Sequence, residues 1–463
     1  MKNLKLENLK NQKVGILGLG QENSALLEFL YKKGINVTVC DKKEKGEAGE
    51  HLEKIKNLPI QFRFGDNYLD NLEDFDVVFR TPGLPYLDSK ISNALKAGVV
   101  VSSQIKLFFD LCPCPIVGVT GTKGKGTTTT LIYEILKKSS KFSGLNSRVF
   151  LGGNIGTPPI EFLDKLQVDD VVVLELSSFQ LQDLEKSPNI AIALDIKVDH
   201  LDYHKDKKEY VEAKTNIVRF QTKDDFAVIN ADYLTSIELA AATPAQVYWF
   251  SRRKSVDKGT WVKNKEEIIL RDNDKDNFIC KTNELTLRGE HNLENVCAAV
   301  TASYLAGADI TSIGDSVRSF KGLEHRLEFI REFNGISFYN DSFSTTPDTT
   351  IAAVKSFSAP IILLVGGSEK NANYEELSEV ISSSSVKKII NIGSTGEKII
   401  DLIKRPSINI VKDIKTMDEA INLALDSAES GDVVLLSPAS ASFDRYKNYK
   451  ERGELFKKTV LSL

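Results

Sequence analysis

Residues Gly118–Thr130 read GVTGTKGKGTTTT. Glycines, lysines and hydroxyls at this density suit one chemistry. Backbone N–H groups and a helix N-terminus cradle a phosphate chain while a lysine neutralises it. The usual phosphate loop is G-x-x-x-x-G-K-[ST], with a hydroxyl directly after the lysine. Here Gly118 lies one residue too far from Gly124, and Gly126 follows Lys125. Gly121, Gly124 and Gly126 permit close backbone approach, Thr122 and Lys123 complete the loop, and Lys125 offers a charge to β- and γ-phosphates. The hydroxyl for magnesium is therefore expected from Thr127, with Thr128 as the alternative. A glycine-rich turn with solvated lysines is the plain alternative to a phosphate site. The strand IVGVT before the loop and the helical TTTTLIYEILKK after it favour the phosphate site.

Three further stretches carry candidate chemistry. DDVVVLELSSFQL is an apolar strand ending at Glu175. An acid there resembles the strand-end carboxylate that holds magnesium in nucleotide hydrolases, although such an acid can also simply face water. DHLDYH places His200 and His204 four residues apart. Without cysteines or an H-E-x-x-H pattern this is a poor transition-metal motif, so His200 is expected near magnesium and His204 in a structural role. NDSFSTTPDTT and LLSPASASFD each follow a strand and are rich in hydroxyls. Such loops suit a polar small-molecule site, or equally helix caps, with Thr346 as N-cap and Pro347 at the first helical position.

These residues need elements to hold them. KVGILGLG is a strand running into Gly18 and Gly20. A helical SALLEFLYKKG follows, then a strand, NVTVCD, ending at Asp41. This is a βαβ unit with an acid about 20 residues after the glycines. Its G-x-x-G-x-G order departs from the dinucleotide fingerprint, so it reads as a nucleotide site more than as an NAD site. DVVFRTPGLP and GVVVSS continue the same pattern, and LCPCP marks a linker. From Asp232 to Leu287 the pieces QVYWF and GTWV with the turn-like NKEE and DNDKDN suggest a small antiparallel insertion. ISFYND, IILLVGG, KKIINIG and DVVLLSP alternate with helical segments, which argues for a third, mostly parallel sheet.

The 463 residues allow two to four domains at roughly 100–200 residues each. We expect an α/β protein of three domains. They are a Rossmann-like domain at 1–110, a P-loop-type ATPase domain with a mostly parallel sheet at 111–322, and a C-terminal Rossmann-like domain at 323–463. With 64 acids against 60 bases the net charge is −4, which excludes a strongly basic nucleic-acid footprint. Five scattered cysteines read as reduced thiols of a cytoplasmic protein. The charged start MKNLKLENLKNQ lacks the apolar core of a secretory signal, and no run reaches the ~20 apolar residues that span a bilayer.

GTKGKGTTTT, GGNIG, ELSSFQL, DHLDYH, EHNLENVCAA, HRLE, NDSFSTTP and LLSPASASFDRYKNYKERG occur in one order from about Lys13 to Phe456. In that order they resemble the Mur ligase family. The resemblance implies an ATP-dependent, monomeric enzyme of cytoplasmic peptidoglycan precursor synthesis. It would join D-glutamate to UDP-N-acetylmuramoyl-L-alanine. The alanine carboxylate takes the γ-phosphoryl group of ATP, and the glutamate amine then displaces phosphate from the acyl carbon.

The resemblance also implies site roles. Lys125 would bind the phosphates, with Thr127, Glu175 and His200 around two magnesium ions and Lys214, carbamylated, as a further ligand. Asn292, Asn295, Arg326 and Asp341 would contact ATP. Asp41 and Thr81 would lie at the uridine diphosphate, and Asn154 and Gln180 on the substrate side. Thr345, Lys370, Ser442 and Tyr449 would line the amino-acid pocket. One departure bears on specificity: many relatives have lysine where this chain has Phe343. A phenyl ring cannot pair with a carboxylate, so L-glutamate or another amino acid is the alternative acceptor. Folylpolyglutamate synthetase fits less well because of the N-terminal Rossmann-like segment. A non-catalytic nucleotide-binding protein is disfavoured by Lys125, Glu175, His200 and Lys214 occurring together.

Overall fold

The computed structural model describes residues 4–43, 60–142, 147–197, 203–369 and 372–463. They form two compact units: Met1–Asn283 with Glu294–Val317, and Glu284–Leu293 with Arg318–Leu463.

The first unit holds two sheets. Strands β1 (Val14–Leu17), β2 (Val37–Asp41), β3 (Gln61–Phe64), β4 (Val77–Arg80) and β5 (Val100–Ser103) pair in parallel in the order β3-β2-β1-β4-β5. The second sheet contains β6 (Ile116–Thr120), β7 (Val149–Gly153), β8 (Val171–Glu175), β9 (Ile190–Ala193), β10 (Phe226–Asn230), β11 (Gln246–Ser251), β12 (Gly259–Lys263), β13 (Glu267–Asp272) and β14 (Lys275–Lys281). Its order is β14-β13-β12-β11-β10-β9-β6-β8-β7. Every residue of β4, β6, β8 and β9 is buried. Continuous apolar runs of this kind belong to parallel strands covered on both faces.

The segment expected as a separate antiparallel insertion is instead continuous with this sheet. Strand β11 pairs in parallel with both β10 and β12, and only the β12–β13 and β13–β14 pairs are antiparallel. Direction reverses at two two-residue turns, Asn264-Lys265 and Asn273-Asp274, all four residues having positive φ. That conformation matches the twist of a tight hairpin, so the turn chemistry was legible although the parallel pairing upstream was not.

A fully buried ion pair joins the two sheets of this unit. Arg80, at the end of β4, donates from Nη2 to Asp183 Oδ1 (2.6 Å) and the Phe179 carbonyl (2.9 Å), and from Nη1 to the Leu84 carbonyl (3.1 Å). Burying a guanidinium is costly unless it is paired and hydrogen-bonded in this way.

The second unit is built on β15 (Glu328–Phe333), β16 (Ile336–Asn340), β17 (Ile361–Val365), β18 (Val386–Asn391), β19 (Asn409–Val411) and β20 (Val433–Leu436) in the order β15-β16-β20-β17-β18-β19. Only β15 is antiparallel to its neighbour. No described helix is long and apolar enough to cross a membrane.

Candidate active site

Strand β6 ends in the glycine loop, and the helix Lys125–Lys138 leaves it. Gly124 has φ +86, and a Cβ there would stand 2.2 Å from Asn295 Oδ1. No acid occupies the helix's first turn, so its positive end is left for an anion.

Two ammonium groups converge on one carbonyl of this loop. Lys125 Nζ donates to Gly121 O (3.0 Å) and Thr122 O (3.1 Å). Lys214 Nζ donates to the same Gly121 O (3.0 Å) and to Thr120 Oγ1 (3.3 Å). Lys214 is 2% exposed and lies over the Tyr210 ring, whose hydroxyl meets Thr122 Oγ1 at 3.0 Å. With Lys214 unmodified, the two ammonium groups bring positive charge to the loop, which suits a polyanion.

Glu175 ends β8, in register with Val119 of β6. Its Oε1 accepts from Asn154 Nδ2 at 2.9 Å, while its Oε2 is buried without a hydrogen-bond partner. An ionised oxygen in that state is costly unless a cation or a donor meets it. Asn154 sits there because Gly153, φ +101, packs where any Cβ would lie 2.2 Å from the Glu175 carbonyl. Asn154, expected on the substrate side, here donates to Glu175.

The two candidate hydroxyls separate. Thr128 Oγ1 donates to Asn295 Oδ1 (3.3 Å) and is fully buried. Thr127 has no side-chain hydrogen bond among the described residues. Of the two candidate hydroxyls, Thr127 is thus the one not engaged by a side chain among the described residues.

Gln180, expected on the substrate side, has its amide hydrogen-bonded within the chain at both ends. Oε1 accepts from Ser177 N (2.9 Å) and Oγ (3.1 Å) in a capping box, and Nε2 donates to Glu22 Oε1 (2.7 Å). His204 is structural, between Glu209 (2.6 Å) and Ser178 (2.9 Å). His200 and Lys370 lie outside the described residues.

At the first sheet, Asp41 Oδ2 accepts from Leu19 N (2.5 Å), pinning the turn between Gly18 and Gly20. Gly18 has φ +83 and abuts Thr81.

In the second unit Asp341 follows β16. Oδ1 accepts from Leu327 N (3.1 Å), and Oδ2 accepts from Ser344 Oγ (2.5 Å) and Ser437 Oγ (2.7 Å). Burial pushes its carboxyl up to about 7, against the lowering effect of those hydrogen bonds and of Arg326. Asn292 donates to Arg288 O (2.6 Å). Thr345 is half-buried and Ser442 buried. Tyr449 opens the last helix, and its carbonyl accepts from Ser342 Oγ (2.8 Å). Thr346 is the N-cap before Pro347, as its position predicted, but its side chain makes no capping bond. Sequence reasoning missed Arg452, which is 1% exposed. Its guanidinium donates to Ser342 Oγ and O and to the Ser440 and Ala441 carbonyls, tying the two hydroxyl-rich loops together. An arginine within the amphipathic YKERGELF gave no signal that it points inward.

Comparison with known proteins fixes the lineage. Residues 119–303 match the family described as Mur ligase middle domain, 325–440 the Mur ligase glutamate ligase domain, and 12–103 the MurD-like N-terminal domain. The chain is 40% identical to the UDP-N-acetylmuramoylalanine–D-glutamate ligase of Acetivibrio thermocellus, over 99% of this chain and 98% of that protein. The chain belongs to the Mur ligase family. A protein of the same name from Symbiobacterium thermophilum is 39% identical, with 98% of each chain covered. Among solved structures, the UDP-N-acetylmuramate–alanine ligase of Thermotoga maritima aligns with a TM-score of 0.59 at 20% identity, covering 98% of this chain and 100% of that one. That likeness concerns the fold. Mur ligases depend on ATP; the loop and Lys125 fit a nucleotide phosphate chain, and the Glu175 oxygen left without a hydrogen-bond partner suits a cation or a donor beside it.

Proposed function

We propose that this Mur ligase joins D-glutamate to the alanine carboxylate of UDP-N-acetylmuramoyl-L-alanine, using ATP through an acyl phosphate. What supports this chemistry is the convergence of Lys125 and Lys214 on Gly121 O, beside the strand that ends in Glu175. The substrates are those named for relatives that match along nearly the whole chain.

Phosphoryl transfer needs positioning and charge neutralisation more than covalent help. The loop amides and Lys125 hold the β- and γ-phosphates. Thr127 and Glu175 Oε2 fit magnesium, with His200 and a carbamylated Lys214 as further ligands, in a site for two ions. The ion would neutralise charge on the transferring group. Carbamylation would exchange the Lys214 ammonium for an anionic oxygen donor and leave Lys125 as the cation of the loop. Asp41, Thr81 and the Gly18–Gly20 turn take the uridine diphosphate end. Asn292, Asn295, Arg326 and Asp341 serve ATP, and Thr345, Lys370, Ser442 and Tyr449 serve the amino acid. The working division is 1–110, 111–322 and 323–463.

The test is phosphate release with Mg-ATP and UDP-N-acetylmuramoyl-L-alanine, offering D- and L-glutamate separately and weighing the product. Turnover with D-glutamate alone is expected. Turnover with L-glutamate alone would overturn the stereochemistry, and turnover with neither would overturn the assignment.

A further inference from the structure

The departure at residue 343 has a definite destination. The Phe343 ring lies under Arg326, with Cζ 3.7 Å from the ring centroid. Its edge meets Tyr449 at 5.0 Å and 88°, and Tyr449 in turn meets His325 at 6.1 Å and 82°. Phe343 N also donates to the His325 carbonyl at 2.9 Å. A guanidinium seated over an aromatic face is attracted to the ring and loses rotational freedom.

The backbone around Arg326 is shaped to the same end. His325 (φ +65) and Leu327 (φ +47) flank it in the left-handed region, which is rare for a leucine. The turn is held by three side chains. Glu328 accepts from His325 N (2.9 Å), Asn340 Nδ2 meets His325 Nδ1 (2.9 Å), and Asp341 accepts from Leu327 N (3.1 Å). Unusual backbone held by several partners is characteristic of functional turns. Asp341 also binds Ser344, next to Phe343, so one carboxyl group fixes both the turn that carries Arg326 and the loop that carries its aromatic platform.

We propose that Phe343 is a positioning residue for Arg326, serving the nucleotide and not the amino acid. This rests on the reading of Arg326 as an ATP contact. Phe343 then does not replace in kind the lysine that the family resemblance led us to expect, and its ring stabilises a neighbouring cation.

The experiment measures KM for ATP and for glutamate separately in Phe343→Leu, Phe343→Tyr, Arg326→Ala and the Leu/Ala double variant, with thermal melts to confirm folding. Phe343→Leu is expected to raise KM for ATP about threefold to tenfold with KM for glutamate within about twofold. Phe343→Tyr, which keeps the ring, should stay near wild type. In the Arg326→Ala background the leucine should add nothing. A larger effect on glutamate than on ATP would overturn the proposal, as would Phe343→Leu and Phe343→Tyr behaving alike. If Phe343→Leu does not fold, the tyrosine variant and Phe343→Met carry the same comparison. Arg326→Ala without effect on ATP would sink the ATP reading of Arg326. Arg326→Ala with an effect while Phe343→Leu has none would sink only the role of Phe343.

Discussion

The turn after β1 and the turn after β6 share a plan: a buried parallel strand, glycines with positive φ, then a helix. They differ in charge. The turn at Gly18–Gly20 is pinned by an acid, Asp41, and its helix carries Glu22 in the first turn. The turn at Gly121–Gly126 has no acid in its first helical turn and draws in Lys125 and Lys214. Glycines therefore report how close a ligand's backbone neighbour can come, while the charged residues report which part of a ligand is welcome. On the proposed reading the ATP phosphates belong at the second turn, while at the first the acids suit the neutral donor groups of the uridine diphosphate substrate.

The sharpest break in this contrast is Lys125→Ala. It should lower ADP formation about a thousandfold or more while binding of the UDP substrate, followed by calorimetry, survives. Normal turnover would remove the loop from the mechanism. Next in size is the pair Thr127→Ala and Thr128→Ala. Thr127→Ala should cost about tenfold to a hundredfold in kcat and raise the magnesium requirement. Thr128→Ala should chiefly lower the melting temperature, because it removes a buried hydrogen bond to Asn295 Oδ1. Equal effects on magnesium dependence would refute the distinction. A smaller effect is expected from Gly18→Ala. Its Cβ would stand 2.6 Å from Thr81 Cγ2 at φ +83, so KM for the UDP substrate should rise several-fold with KM for ATP unchanged.

The smallest effect concerns Glu22. Burial raises its carboxyl to about 7, opposed by the Gln180 hydrogen bond and by Arg80. The folded state therefore holds a proton that the unfolded state releases from about pH 4.5 upward. The stability this contributes is complete below that pH and is lost as pH rises through about 7. Glu22→Gln should shrink the fall in melting temperature between pH 5 and pH 8 by about 3 °C or more. An unchanged slope would show that Glu22 does not titrate there.

Much of this was legible because parallel strands announce themselves. VVVLE, IILLV and VVLL are buried throughout, and uninterrupted apolar runs say so without context. The loop glycines and Lys125 were legible for the same reason: their spacing is local. What could not be read was long-range. Asn295 decides between Thr127 and Thr128 from 167 residues away, and no periodicity encodes that. Phe343 was visible as a departure, yet its partner Arg326 was found only once the chain turned back. The Arg80–Asp183 pair left one faint trace, a charge ending the apolar run DVVFR. The antiparallel hairpins were read from turn residues, whereas the pairing of β11 and β12 depends on neighbours distant in sequence.

The buried Arg80 also bears on inheritance. Its four bonds reach Leu84 on its own side, and Phe179, Asp183 and the Tyr203 hydroxyl on the other. A chimera that took its first sheet from one family member and its second from another would bring Arg80 without its acceptors, or Asp183 without its cation. Either leaves a charge stranded in the interior. Exchange of these two sheets between lineages should therefore succeed only when the arginine and its receiving carbonyls and carboxylate travel as a set.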